Sequence, residues 1–264
     1  MMKELIANRD SWNLLAKDHY ENFKQKLSLR KSLLNPVIEQ ELGDITGKTL
    51  MHLQCNTGAD TLSLARLGAK VSGVDLAPDN VKYAQKMFKD FGTEGHFYES
   101  NVLTFSETHH QKYDIVFTSE GAIIWLPDFK AWAKTVRRLM KEDGVFYVNE
   151  MHPTFLMLDE EALPKGEIKL KYPYFNREVA AEDSIGGYAA EPRKGETYSW
   201  MYSISDVVNA LIEAGLQIEF IHEFDDLCYN LGGMIQNPKT GQFFYPNLLG
   251  KFPFMFSIKA TVRK

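Results

Sequence analysis

Glu120, Glu150 and His152 stand at the ends of two apolar runs, YDIVFTSE and GVFYVNEMH. A carboxylate or imidazole placed there can take a proton from a bound nucleophile. Plainer roles stand beside that one. Glu120 also fits an acid at a helix N-terminus, and His152-Pro153 fits a turn at a strand exit. A second group lies in HLQCNTGADTLSLARLGAKVSGVD, from His52 to Asp75. This stretch reads as strand, tight turn, helix, strand and acid, the layout of a nucleotide-binding crossover. Its turn holds Gly58 alone, with Gln54, Asn56 and Thr57 where such turns usually carry glycines. A pyrophosphate needs the whole loop bare. A ribose with an amino-acid tail fits better against these side chains. Asp75, ending the second strand, can accept two hydrogen bonds from ribose hydroxyls; it can equally cap the helix that begins near Pro78.

The elements that must position these residues follow from periodicity. Residues 10–28 place Trp12, Leu15, Ala16, His19, Tyr20 and Phe23 on one helical stripe, with Asp10 or Ser11 as cap. A short helix, NPVIEQEL, comes next. From Gly47 the chain alternates: strands in KTLMHLQ, AKVSGVD, GHFYES, YDIVFTSE and GVFYVNE, helices in ADTLSLARLG, 78–91 and 127–141. That rhythm predicts a parallel sheet with helices on both faces. It breaks after Glu150. Residues 151–202 carry Pro153, Pro164, Pro173 and Pro192 with Gly166, Gly186, Gly187 and Gly195, and read as an insertion with short strands. Its Tyr172, Tyr174, Phe175, Tyr198, Trp200 and Tyr202 either line a pocket or pack the insertion onto the sheet. A helix capped by Ser205 and ended by Gly215 follows. Then LQIEFIHEF and FPFMFSIKATV, joined by a polar loop, form an antiparallel pair.

Composition narrows the classes. With 264 residues, 44% apolar and 25% charged, the chain can bury a large core without staples. The net charge of −5 and the absence of a long Lys/Arg run argue against a nucleic-acid partner. Cys55 and Cys228 match no metal spacing. There is no apolar signal core at MMKELIANRDSW and no ~18-residue apolar window. These features point to a cytoplasmic protein with no membrane partner.

The motifs LMHLQCNTG, VSGVDLAP, FYESNVLT, YDIVFTSEGAIIWLPD and LMKEDGVFYVNEMHP resemble the class I S-adenosylmethionine-dependent methyltransferases, in their bacterial small-molecule branch. The resemblance covers residues 45–150 and the closing strand pair. It implies an α/β, Rossmann-like fold: a seven-stranded mostly parallel sheet with the last strand antiparallel, and an insertion after the fifth strand. Residues 1–44 would cover the cofactor site and 45–150 bind the cofactor. Residues 151–202 would shape the substrate site, and 203–264 complete the sheet. It implies S-adenosyl-L-methionine as cofactor, wrapped at its methionine end by Leu53, Gln54, Cys55, Asn56 and Gly58. Asp75 would hold the ribose, with Leu76, Asn101 and Val102 at the adenine. Ser119 and Glu120 would lie by the reacting methyl, and Tyr20 on the first helix would close over the cofactor, with Trp12 and Asn13. Glu120, Glu150 and His152 are the base candidates, and the substrate would be a small molecule. The usual first-strand acid is His52 here, and a satisfied histidine near the sheet is its other reading.

Three rival readings remain. A nicotinamide-dependent oxidoreductase wants a glycine-rich first turn and a second mononucleotide-binding half, and neither is present. A nucleic-acid methyltransferase wants a basic stripe, and no NPPY-like stretch occurs. A non-catalytic binder of the same cofactor would share the loop and differ in making no product.

Overall fold

A computed structural model of the chain describes all residues except 176, 177, 187 and 239. Gly187, counted above with the insertion's glycines, lies outside the described residues. Helix α1 (Lys3–Leu29) and the short α2 (Pro36–Leu42) precede β1 (Thr49–Leu53). Then come α3 (Ala59–Arg66), β2 (Lys70–Asp75), α4 (Pro78–Asp90), β3 (His96–Glu99), β4 (Tyr113–Thr118), α5 (Phe129–Leu139) and β5 (Met140–Met151). The remainder comprises β6 (Val179–Ile185), β7 (Arg193–Trp200), α6 (Ile204–Glu213), β8 (Leu216–Phe224), β9 (Ile235–Gln236), β10 (Phe243–Phe244) and β11 (Met255–Val262).

One seven-stranded sheet runs β3-β2-β1-β4-β5-β11-β8. The first five strands are parallel, and β11 is antiparallel to both β5 and β8. Seven strands, mostly parallel with the last antiparallel, are what the family resemblance implies. Strand side chains alternate between faces, and the core divides accordingly. Met51, Val116, Phe146, Val148, Phe256 and Ile258 pack with Trp132, Val136 and Leu139 of α5 and Val207 and Leu211 of α6. Leu50, Ile115, Phe117 and Tyr147 face the other way, toward α1 to α4. The order reverses between β1 and β4, so their carboxyl ends open the crevice where ligands of such sheets sit. Among the described residues no helix is long and apolar enough to cross a membrane.

Two helix starts differ from the sequence expectation. Helix α1 begins at Lys3, not at Asp10 or Ser11. Its extra turns are held by polar pairing: Asn8 exchanges hydrogen bonds with the Tyr198 backbone (2.8 and 2.7 Å), and Ser11 donates to Glu196 O at 2.8 Å. The hairpin β6/β7 thus clasps α1, and a Cβ on Gly195 would lie 2.7 Å from Ser11 Oγ. Helix α6 is capped by Ser203, not Ser205, in a reciprocal box with Asp206. Removing such a cap costs about 1 kcal/mol. Ser203→Ala is therefore expected to lower the melting temperature by roughly 2–4 °C in calorimetry, and Ser205→Ala to leave it unchanged.

The stretch between β8 and β11 is not simply polar. Its Leu227, Met234, Tyr245, Leu248 and Phe254 form a third core with Phe155, Leu158 and Leu163 from the insertion.

Candidate functional site

The loop after β1 is built on backbone that side chains rarely adopt. Gln54 and Asn56 both take positive φ, 55° and 48°. The positions where glycine would be expected thus keep the left-handed geometry while carrying amide side chains, at a cost that asparagine bears more cheaply than most. Gln54 Nε2 donates to Ala122 O at 2.8 Å. Asn56 Oδ1 accepts from Thr57 N at 2.6 Å. Gly58 (φ 79°) starts α3, and a Cβ there would meet Ala84 Cβ at 3.0 Å. Leu53 is buried in the core. Cys55 points its thiol under Gly73, and burial pushes that thiol well up.

Asp75 fastens this loop to the next. Oδ2 accepts from Asn56 N at 2.8 Å, and Oδ1 from Ala77 N (2.9 Å) and Asn80 Nδ2 (3.1 Å). The Leu76 amide also donates to it, so the roughly four acceptor positions of the carboxylate are all engaged. Burial raises its carboxyl, against the pull of those donors. Leu76 follows, half-buried, and Asn101 accepts from Leu103 N at 3.0 Å, beside the core residue Val102.

His52 is buried with both nitrogens partnered: Nδ1 lies 2.8 Å from Thr61 Oγ1 and Nε2 3.1 Å from Ser119 Oγ. Burial pushes it down to about 3, so it stays neutral.

The acids separate by environment. Glu120 is pushed up to about 7 by burial, with Asp60 and Glu150 adding repulsion against donors Cys228 and Asn35. Glu150 spends both oxygens on backbone amides: Oε1 on Gly121 (2.5 Å) and Met151 (2.7 Å), Oε2 on Ala122 (2.8 Å) and Ile123 (3.0 Å). Burial raises it and these amides pull it back toward the ionised form. His152 turns away, with Nδ1 2.6 Å from Thr154 Oγ1 and Nε2 2.9 Å from Glu223 Oε1 on the edge strand β8. The strand-exit turn is present: His152 N donates to Phe254 O, and its carbonyl accepts from Phe155 N.

Three residues that the sequence reading missed reach the site. His19 Nδ1 lies 3.4 Å from both Asn56 Oδ1 and Tyr188 Oη. Neighbours on a helix point about 100° apart, so His19 meets the loop while Tyr20 does not. Tyr20 stacks on Tyr83 and bonds to Asp90 at the far end of α4, which corrects its placement over the cofactor. Trp12 meets Trp125, and Asn13 accepts from Asp79 N. Asp60, in the first turn of α3, is raised by burial and bonds Ser119. Tyr188 comes from the insertion, whereas Phe175 is exposed and Tyr202 is buried, bonded to Met151 O. The insertion's aromatics therefore do not gather into one pocket. Among the described residues no group of three or more acids, histidines and cysteines could hold a metal ion.

Residues 51–144 match a family model described as a methyltransferase domain. An uncharacterized protein of Haemophilus influenzae is 26% identical over 223 residues, covering 78% of this chain and 84% of that protein. The ubiquinone biosynthesis O-methyltransferase of Actinobacillus pleuropneumoniae is 25% identical over 130 residues, 46% of this chain and 55% of that enzyme. Among solved structures, an S-adenosylmethionine-dependent methyltransferase from Clostridium acetobutylicum superposes with a TM-score of 0.57 at 16% identity, covering 93% of this chain and 92% of that one.

Proposed function

Because this chain carries a methyltransferase domain of the class I, S-adenosylmethionine-dependent fold, we propose that it transfers a methyl group to a small-molecule acceptor. The observation that carries the reading is a set of buried, unpartnered polar atoms around the left-handed loop: Gln54 Oε1, Thr57 Oγ1 and His19 Nε2. Buried polar atoms in native proteins have partners, so such a cluster marks where a ligand belongs. Its chemistry suits an amino acid. Asn56 Oδ1 accepts the Thr57 amide, so His19 Nδ1 is the protonated nitrogen facing it. That leaves Nε2 as an acceptor, beside the acceptor Gln54 Oε1, for an ammonium group. The Thr57 hydroxyl can donate to a carboxylate. Asp75, at the end of β2 and bonded to the loop through Asn56 N, is the acid that a ribose hydroxyl would meet. The residues present therefore fit S-adenosylmethionine.

When bound, that cofactor supplies a methyl group already activated by a sulfonium. The chain's task is then to align a nucleophile, exclude water and hold a proton. Glu120 is the group best placed to hold it: it follows β4, and its raised carboxyl exchanges a proton near neutrality. Glu150 holds the turn that carries Glu120.

Calorimetric titration with S-adenosylmethionine, S-adenosylhomocysteine and NAD tests the reading. The first two are expected to bind and NAD to give no heat. Asp75→Ala is expected to weaken S-adenosylhomocysteine by about 1–3 kcal/mol, roughly fivefold to a hundredfold. Binding of NAD alone would overturn the assignment. Cofactor binding with no product from any acceptor would favour a sensor over an enzyme.

A further inference from the structure

Glu120 is met by the segment between β8 and β11, which reads in sequence as a polar loop. Its Oε2 accepts from the Cys228 thiol. Its Oε1 accepts from Asn35 Nδ2 at 3.1 Å, and Asn35 Oδ1 accepts from Gln242 Nε2 at 2.7 Å. Cys228 and Gln242 both belong to the segment 225–254, between β8 and β11. Beneath them lies a row of polar side chains on one sheet face. Asn149 of β5 is fully buried, and Ser257 of β11 stands opposite it in register. Tyr147, on the same face two residues earlier, donates its hydroxyl to Glu41 Oε2 at 2.6 Å and lies within electrostatic reach of Glu120. Four side-chain atoms here have no partner: Asn149 Oδ1, Asn149 Nδ2, Ser257 Oγ and Gln242 Oε1. Unpaired polar atoms at full burial cost stability, and one such site beside a base candidate calls for an occupant.

The groups state what that occupant is. Acceptors prevail: Glu120, Gln242 Oε1 and Asn149 Oδ1, with the Ser257 hydroxyl able to act either way. The one fixed donor left over is the Asn149 amide. Asp60 and Glu150 add negative charge nearby. Among the described residues no Lys or Arg forms an ion pair with Asp60, Glu120 or Glu150. An anionic acceptor would sit against three carboxyl groups uncompensated, whereas an ammonium group finds acceptors on several sides.

We propose that the segment 225–254, with Asn149 and Ser257, forms the methyl-acceptor pocket, and that the acceptor is a small amine methylated on nitrogen. The assignment rests on the methyltransferase reading above. Glu120 takes one proton from the ammonium, freeing the nitrogen lone pair. That pair forms the N–C bond as the methyl–sulfur bond breaks. The breaking pair stays on sulfur, leaving a neutral thioether, and the positive charge ends on the methylated nitrogen.

The test offers methyl-labelled S-adenosylmethionine with matched sets of small primary amines, phenols and carboxylates, with products identified by mass. S-adenosylhomocysteine affinity is measured first. Amines are expected to be methylated, and phenols and carboxylates not. Gln242→Leu and Ser257→Ala are expected to raise the amine KM at least tenfold, with S-adenosylhomocysteine affinity and kcat within about twofold. Tyr172→Phe, in the 151–202 insertion, is expected to leave that KM unchanged. A purely packing role for Gln242 would instead lower melting temperature and cofactor affinity together, and would overturn the pocket. Preference for phenols or carboxylates would overturn the amine assignment, as would tight cofactor binding with no amine turnover. Loss of S-adenosylhomocysteine binding in the unaltered protein is a different result: it removes the methyltransferase reading itself and this assignment with it.

Discussion

Glu120→Gln is expected to lower the rate of methyl transfer by about 10²- to 10⁴-fold, the usual contribution of a positioned base, and to make the protein more stable above neutral pH. Both effects come from one cause. Burial disfavours the charge of Glu120, and Asp60 from α3 and Glu150 from β5 add repulsion, together outweighing the hydrogen bonds from Cys228 and Asn35. Its carboxyl is raised from 4.5 to about 7. In the unfolded chain it loses its proton near the ordinary value. Between pH 4.5 and 7 the native state therefore holds a proton that the unfolded state has released, and stability falls as pH rises through that window. Glutamine carries no such charge. The variant should match the unaltered protein below pH 4.5 and exceed it at pH 8, on the order of 3 kcal/mol. Catalysis has the opposite sign: a base must be ionised, so the unaltered enzyme's kcat/KM should rise to a plateau through about pH 7, and that limb should vanish in Glu120→Gln. Scanning calorimetry at three pH values and a pH–rate profile read both. A stability difference that does not change with pH, or a rate within a few-fold of normal, removes Glu120 from this role.

Much of the frame was legible because it is periodic. The apolar strands, the helices between them and the acid at Asp75 fall in register along the chain, so the parallel sheet follows from local patterns, whereas its seven strands with the last antiparallel came from the family resemblance. What was not legible depends on contacts between distant segments. The start of α1 was hidden because its buried positions Asn8 and Ser11 are polar and find their partners in β7. The segment 225–254 looked like a polar loop because Leu227, Met234, Tyr245 and Leu248 recur at no fixed period. They pack against one another, against Phe155, Leu158 and Leu163 of the insertion, and against Phe254 and Met255. His19 and Tyr20 share one stripe in the sequence, and only the rotation of the helix separates the residue at the loop from the one on α4. The fate of the loop's missing glycines was half visible. Gln54 and Asn56 signalled a ligand other than a pyrophosphate, but that they retain left-handed backbone is a fact of the fold.

Glu150→Gln should produce the other large effect, and of a different kind. Sequence alone places Glu150 beside Glu120 as an equal candidate for the base. The structure gives its two oxygens four amide donors, at Gly121, Ala122, Ile123 and Met151. A glutamine keeps one oxygen and presents an NH2 group to the two amides on the other side. Two bonds to a charged acceptor are lost, each worth about 1.5–3 kcal/mol, and donors face donors. The cost should be on the order of 3 kcal/mol, a fall in melting temperature of roughly 6–12 °C. The turn it holds also carries Ala122, whose carbonyl accepts from Gln54 Nε2, and follows Glu120 directly. Loosening it should therefore weaken S-adenosylhomocysteine binding and lower kcat together. If Glu150 were instead the base, the same variant would keep its melting temperature and cofactor affinity and lose only rate. The two acids can thus be told apart in one set of measurements. The residue that moves the proton becomes more stable when its charge is removed above neutral pH, and the residue that holds the turn becomes less stable.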